Sequence, residues 1–196
     1  MTFKIILAVV LGTVVGFFVP SQWYDATDIL LTIGLCLLLF FVGIDIGKNK
    51  NVLQDIKRTG ALFFIVPIGV AVGSLIGAIA VGYLLGYPLN ESGAIGSGLG
   101  WYTLSSIIIA PYSSELSVLA FLTNVMREVF AIALIPIIAT RIGFIEAIAP
   151  AGATAMDTTL PIISRNTSSE TAILSFSTGL ILSILVPILV PLFLFR

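Results

Sequence analysis

Apolar runs of about 20 residues recur along the chain, long enough to cross the ~30 Å hydrocarbon core of a bilayer as helices. Gly60 to Leu85, Leu116 to Thr140 and Thr171 to Phe195 are the plainest of them. Lipid offers no water to an opened backbone, so a broken segment survives among such runs only where it is packed in protein or lines a cavity. One such segment stands out. Gly152-Ala153-Thr154-Ala155-Met156-Asp157-Thr158-Thr159-Leu160-Pro161 puts an aspartate, three threonines and a proline inside the otherwise apolar stretch from Ala147 to Ile163. Asp157 is therefore expected to face a site.

Composition sets the class. Of the 196 residues, 58% are hydrophobic and 10% charged, whereas roughly a quarter are charged in soluble domains. The chain reads as all-α, a polytopic transmembrane helical bundle of about seven spans with two discontinuous helices, forming a single transmembrane domain over residues 1–196. A net charge of −1 without a basic run points to a lipid bilayer as surroundings and gives no reason to expect nucleic acid. The lone Cys36 provides neither a disulfide framework nor a thiolate metal site. Histidine is absent, which removes the commonest zinc ligand and leaves any proton work to carboxylates. No metal or cofactor is expected. With no nucleophile beside a base, no metal cluster and no phosphate loop, an enzyme is not expected either.

The first run, Phe3 to Val19, is not read as a cleaved leader, because Val19-Pro20-Ser21 lacks the small-x-small pattern of a signal peptidase site. Its Gly12 and Gly16 form a small-xxx-small pair suited to close helix packing. After the linker Pro20 to Thr27, which carries Asp25, a second span covers Ile29 to Ile46 and contains Asp45 at its end. The loop from Gly47 to Thr59 carries Lys48, Lys50, Lys57 and Arg58, the densest positive cluster in the chain. The positive-inside rule makes this loop and the amino terminus cytoplasmic. Asp45, within a turn of Lys48, reads as an interfacial charge. In the third span Gly69, Gly73 and Gly77 recur at i,i+4 and make one smooth helix face. An outside turn is expected at Tyr87 to Glu91.

A second broken stretch follows, from Ser92 to Ser106, with Gly93, Gly96, Gly98 and Gly100 ahead of Trp101, Tyr102, Thr103 and Ser105. Each glycine costs a helix about 1 kcal/mol relative to alanine, so a discontinuous span is expected. Trp101 and Tyr102 fit either an interfacial aromatic belt or a cavity lining. The fifth run holds Asn124, Arg127 and Glu128 near its middle, where each charge costs roughly 2.5–3.5 kcal/mol on the insertion scale. Neighbours on a helix do not face each other, so Arg127 and Glu128 are not assumed to pair, whereas Asn124 and Glu128 share a face. Arg127 is expected to be a structural charge that holds Asp157 or the carbonyl end of a broken helix. Glu128 and Asp157 are the expected functional acids. Seven full crossings put the carboxyl terminus outside, and a re-entrant segment puts it inside.

Paired discontinuous helices offer half-helix amino termini to anions and unwound carbonyls to cations. With two intramembrane acids added, a zwitterion bearing an extra ammonium is a natural cargo. The residues also resemble a known family, the bacterial and archaeal lysine exporters (LysO-like). The resemblance is carried by Gly98-Leu99-Gly100-Trp101-Tyr102-Thr103-Leu104-Ser105, Asn124-Val125-Met126-Arg127-Glu128 and Gly152 to Pro161, in that order. It implies export of L-lysine or a similar cationic amino acid across the cytoplasmic membrane in exchange for protons, and it places the carboxyl terminus outside, with seven full crossings. The family's two important acids fall on Glu128 and Asp157. Asn124 and Thr158 are expected beside them, and Gly100, Trp101, Tyr102, Thr103, Ser105 and Thr154 are expected to line the site. Single-chain members carry about three further amino-terminal spans, so the resemblance implies a split form completed by a small membrane subunit or by a second copy. A sodium- or proton-coupled antiporter for another cation is the rival reading, and a non-transporting structural subunit is a second.

Overall fold

A computed structural model describes residues 60–195 continuously and, before them, residues 7, 11, 12, 14–18, 20, 33, 37, 40 and 44. The second span as a whole, the basic loop, Cys36, Asp25 and Asp45 lie outside the described residues. Among the described residues the secondary structure is helical, as the composition and apolar runs require. Helix α1 covers Leu62–Leu84, α2 Leu89–Gly96, α3 Tyr102–Ile109 and α4 Ser114–Arg141. Two 3-10 turns, Glu146–Ile148 and Gly152–Met156, lead to α5 at Leu160–Asn166 and then α6 at Ser169–Leu194.

Three of these helices, α1, α4 and α6, have 23, 28 and 26 residues and are apolar enough to cross a membrane. Their starts are legible in local chemistry. The Ser113 hydroxyl accepts from the Leu116 N–H at 3.2 Å, and the Ser168 hydroxyl accepts from the Thr171 N–H at 3.2 Å. Each satisfies one of the amide donors that a helix leaves open at its first turn. Helix α6 runs through the middle and packs on α1, α2, α3, α5 and the second 3-10 turn. More than half of its apolar window, 56%, is buried, compared with 17% for α1.

Both stretches expected to be broken are broken. Helices α2 and α3 have 8 residues each and α5 has 7, about 10–12 Å apiece and far short of a bilayer core. The expected turn at Tyr87 to Glu91 is shorter than its sequence implied. Pro88 takes an extended ψ of 156° as the N-cap and α2 begins at Leu89, because proline fixes φ without needing a helical hydrogen bond from its own nitrogen.

Candidate functional site

The first interruption runs through Leu99 at φ 49° and Gly100 at φ 102°, left-handed backbone that ends α2 and re-aims the chain into α3. Leu99 is fully buried, so packing offsets the ~1–2 kcal/mol that an L-residue pays in that region. In the second interruption Gly152 takes φ 63°, and a Cβ there would strike the Leu99 carbonyl oxygen. The two breaks touch. The Ala153 N–H donates to the Leu99 carbonyl at 2.8 Å, and a Cβ on Gly100 would lie 3.2 Å from the Ala151 oxygen.

Helix α4 holds both breaks. Asn124, 3% exposed, accepts from the Gly100 N–H at 2.8 Å and donates to the carbonyls of Ala120 at 2.9 Å and Ile95 at 3.4 Å. Its amide therefore stitches the first interruption together. Arg127, nearly one turn further on, donates from Nε to the Pro150 carbonyl at 3.0 Å and from Nη2 to the Ala149 carbonyl at 3.1 Å. Its Nη1 donates to the Ser74 hydroxyl on α1 at 2.8 Å. Of the two partners expected for Arg127, the carbonyl end of a broken helix is the one it takes, and Asp157 is not among its hydrogen-bond partners. A guanidinium suits this place, since its fixed fork serves several acceptors at once.

Glu128 emerges about 100° around the helix from Arg127 and meets a different set of groups. It lies within electrostatic range of Asp157, and both acids act on Tyr102. Asp157 ends the second 3-10 turn with φ −134° and ψ −93°. Its Oδ1 accepts from the Thr158 N–H at 2.6 Å and from the Thr158 hydroxyl at 3.4 Å. All four side chains are half-buried. Tyr102 is further held edge-on by Phe121 of α4, with ring centroids 5.4 Å apart. The cluster thus holds two acids, a phenol and a hydroxyl beside the crossing of two interrupted helices.

The remaining residues singled out from the sequence have these surroundings. Trp101 and Thr103 are exposed at the start of α3. Thr154 is buried and donates to the Ala151 carbonyl at 2.8 Å, and the Ser105 hydroxyl donates to the Tyr102 carbonyl at 3.3 Å. Sequence reasoning passed over Ser74, which seats Arg127, and Ser175, which donates to the Ala155 carbonyl at 2.8 Å. It passed over Gly179 too, where a Cβ would lie 2.5 Å from the Met156 nitrogen. Their only signal was small size on a spanning helix. Among the described residues no group of three or more Asp, Glu, Cys or His side chains is placed to hold a metal.

A family described as lysine exporter LysO matches residues 6–194. The chain belongs to the lysine exporter LysO family. Lysine exporter LysO of Escherichia coli K12 is 39% identical over 162 residues, covering 81% of this chain and 53% of its own length. The chain thus spans about half the length of that relative. A provisionally assigned lysine exporter of Haemophilus influenzae Rd is 30% identical over 197 residues, covering 97% of this chain and 96% of its own length. No solved structure matches. Membership makes the chain a multi-pass membrane protein of a transporter family, in keeping with its three long apolar helices.

Proposed function

We propose that this protein exports L-lysine, and close cationic analogues, across the cytoplasmic membrane in exchange for protons. The supporting observation is the placement of Glu128, Asp157, Thr158 and Tyr102 in one half-buried cluster beside the two interrupted helices. Asn124 holds the backbone there, and Arg127 joins it to the Ser74 hydroxyl of α1. The acids are therefore the groups left to meet a cation. The kinship with the Escherichia coli lysine exporter supplies the substrate class.

The mechanism is alternating access with competition. An ammonium of lysine and a proton neutralise the same negative charge, so each leaves when the other arrives and neither crosses with an uncompensated buried carboxylate. The breaks favour such switching, because a short helix on either side of an interruption can tilt without unwinding a continuous hydrogen-bond ladder.

The test is uptake of labelled lysine into proteoliposomes, driven by an imposed pH gradient. Wild-type protein accumulates lysine against its gradient, whereas Glu128→Gln and Asp157→Asn abolish accumulation while keeping the wild-type melting profile. Normal accumulation by both variants would overturn the proposal. Accumulation driven by a sodium gradient alone would transfer the coupling to sodium.

A further inference from the structure

A cationic amino acid brings an α-carboxylate with its ammonium groups. Glu128 and Asp157 suit the ammonium groups but cannot receive the carboxylate, because an ionised acid only accepts hydrogen bonds and like charges repel. A carboxylate drawn out of water needs a donor of its own. Most donors near the two acids are spent. The Arg127 guanidinium is engaged by Pro150, Ala149 and Ser74, and the Asn124 amide donates to Ala120 and Ile95. The hydroxyls of Ser105 and Thr154 donate to the carbonyls of Tyr102 and Ala151, and that of Thr158 donates to Asp157.

Tyr102 differs from all of these. Its ring is held edge-on by Phe121 with centroids 5.4 Å apart, while its hydroxyl makes no hydrogen bond among the described residues. Phe121 and Glu128 are seven residues apart on α4, which puts them on one face, about 10 Å apart along the axis. A ring seated on Phe121 therefore stands on the face of α4 that carries Glu128, and both acids act on its phenol. A phenol is a neutral donor at neutral pH. It can serve an anion without adding a positive charge that would compete with the cargo for the acids.

We propose that Tyr102 recognises the α-carboxylate of the cargo, its O–H donating to a carboxylate oxygen while Glu128 and Asp157 take the ammonium groups. The assignment rests on the transport reading above and adds to it a means of telling an amino acid from a bare diamine or an inorganic cation. The α-ammonium and the α-carboxylate share one carbon, so an acid that holds the first brings the second within reach of a phenol beside it. A site that hydrogen-bonds a substrate group discriminates against an analogue lacking that group, because its own polar atom is then left unpaired.

The experiment measures Kd by calorimetry on the purified protein, wild type and Tyr102→Phe, for L-lysine and for cadaverine, the diamine that has lysine's two amines and no carboxylate. The substitution keeps the ring on Phe121 and removes a hydroxyl that engages no described protein group, so the Tm is expected to stay at the wild-type value. Lysine binding is expected to weaken by roughly ten-fold or more, as loss of a hydrogen bond to a charged group requires. Cadaverine binding is expected not to change. Equal weakening of both ligands would put the hydroxyl on the acids or the ammonium groups and overturn the assignment. Unchanged lysine binding would overturn it, and so would a lowered Tm, which would mean that the hydroxyl is bound within the protein. Failure of the wild-type protein to bind lysine at all would instead remove the transport reading on which the assignment rests.

Discussion

The Leu99 carbonyl accepts the Ala153 N–H at 2.8 Å, so the two interrupted segments are joined backbone to backbone at the residues where each leaves helical geometry. Leu99 and Gly152 both lie at positive φ, and the left-handed turn of one exposes the carbonyl that the other presents an amide to. Neither break is a local defect. Each supplies the hydrogen-bond partner that the other's opened backbone needs in a medium without water.

Replacing Gly152 by alanine removes the room that this contact requires. The φ of 63° disfavours an L-residue by about 1–2 kcal/mol. The added methyl also strikes the Leu99 oxygen and crowds the Arg127 guanidinium, whose carbon lies 3.0 Å away. Overpacking of this kind adds about 1–3 kcal/mol. Gly152→Ala is expected to lower the thermal midpoint in detergent clearly and to reduce lysine transport with it. An unchanged midpoint would contradict the crossing described here.

Arg127 and Glu128 are adjacent in sequence and opposite in role. Removing the guanidinium leaves the half-buried Pro150 carbonyl and the exposed Ala149 carbonyl without their donor, and the loss at Pro150 alone costs about 1–3 kcal/mol. Arg127→Met should therefore unfold readily. Arg127→Lys should recover only part of the loss, since one ammonium cannot reproduce the planar fork. The folded fraction of Arg127→Lys is expected to bind lysine with wild-type affinity in calorimetry. A stable variant with no lysine binding would instead place Arg127 against the substrate.

The contrast between these neighbours marks how far the sequence could be read. Both interruptions were legible because several glycines, or threonines with an aspartate and a proline, are clustered within a few residues and weaken a helix together, and the expectation that Arg127 would hold either Asp157 or a broken helix's carbonyl end follows from the cost of an unpaired buried cation. Asn124 was less legible. Its i,i+4 spacing to Glu128 groups the two on one face, yet a carboxamide serves equally as a ligand or as a substitute peptide group, and its bond from the Gly100 N–H at 2.8 Å depends on a backbone break that spacing alone does not locate. Ser74 and Ser175 gave no signal, because a small hydroxyl on a spanning helix ordinarily bonds back to its own turn.

Thr158 offers a finer probe of the acid pair than deleting a charge. Its hydroxyl donates to Asp157 at 3.4 Å beside Glu128, and its N–H independently anchors Asp157 at 2.6 Å. Thr158→Val keeps the shape and the N–H but removes the hydroxyl. A hydrogen bond to a charged group contributes about 1.5–3 kcal/mol, so lysine affinity is expected to change by roughly ten-fold or more, with little change in melting. An effect on melting without one on affinity would make Thr158 a packing residue.

Competition for one charge has a sign that calorimetry can read. If lysine and protons share Glu128 and Asp157, binding lysine must release protons, and by linkage a rise in proton activity must weaken lysine binding. The apparent Kd is then expected to rise as pH falls, by up to about ten-fold per pH unit for each proton displaced. The same release makes the observed binding enthalpy depend on the ionisation heat of the buffer, with a slope equal to the number of protons expelled. Glu128→Gln should reduce that slope, because one of the two competing sites is gone. Arg127→Lys should leave it unchanged, because the guanidinium is engaged with backbone carbonyls and Ser74. A pH-independent Kd in the wild-type protein would mean that lysine and protons use separate groups, and the exchange mechanism would then lose its physical basis even if lysine were still carried.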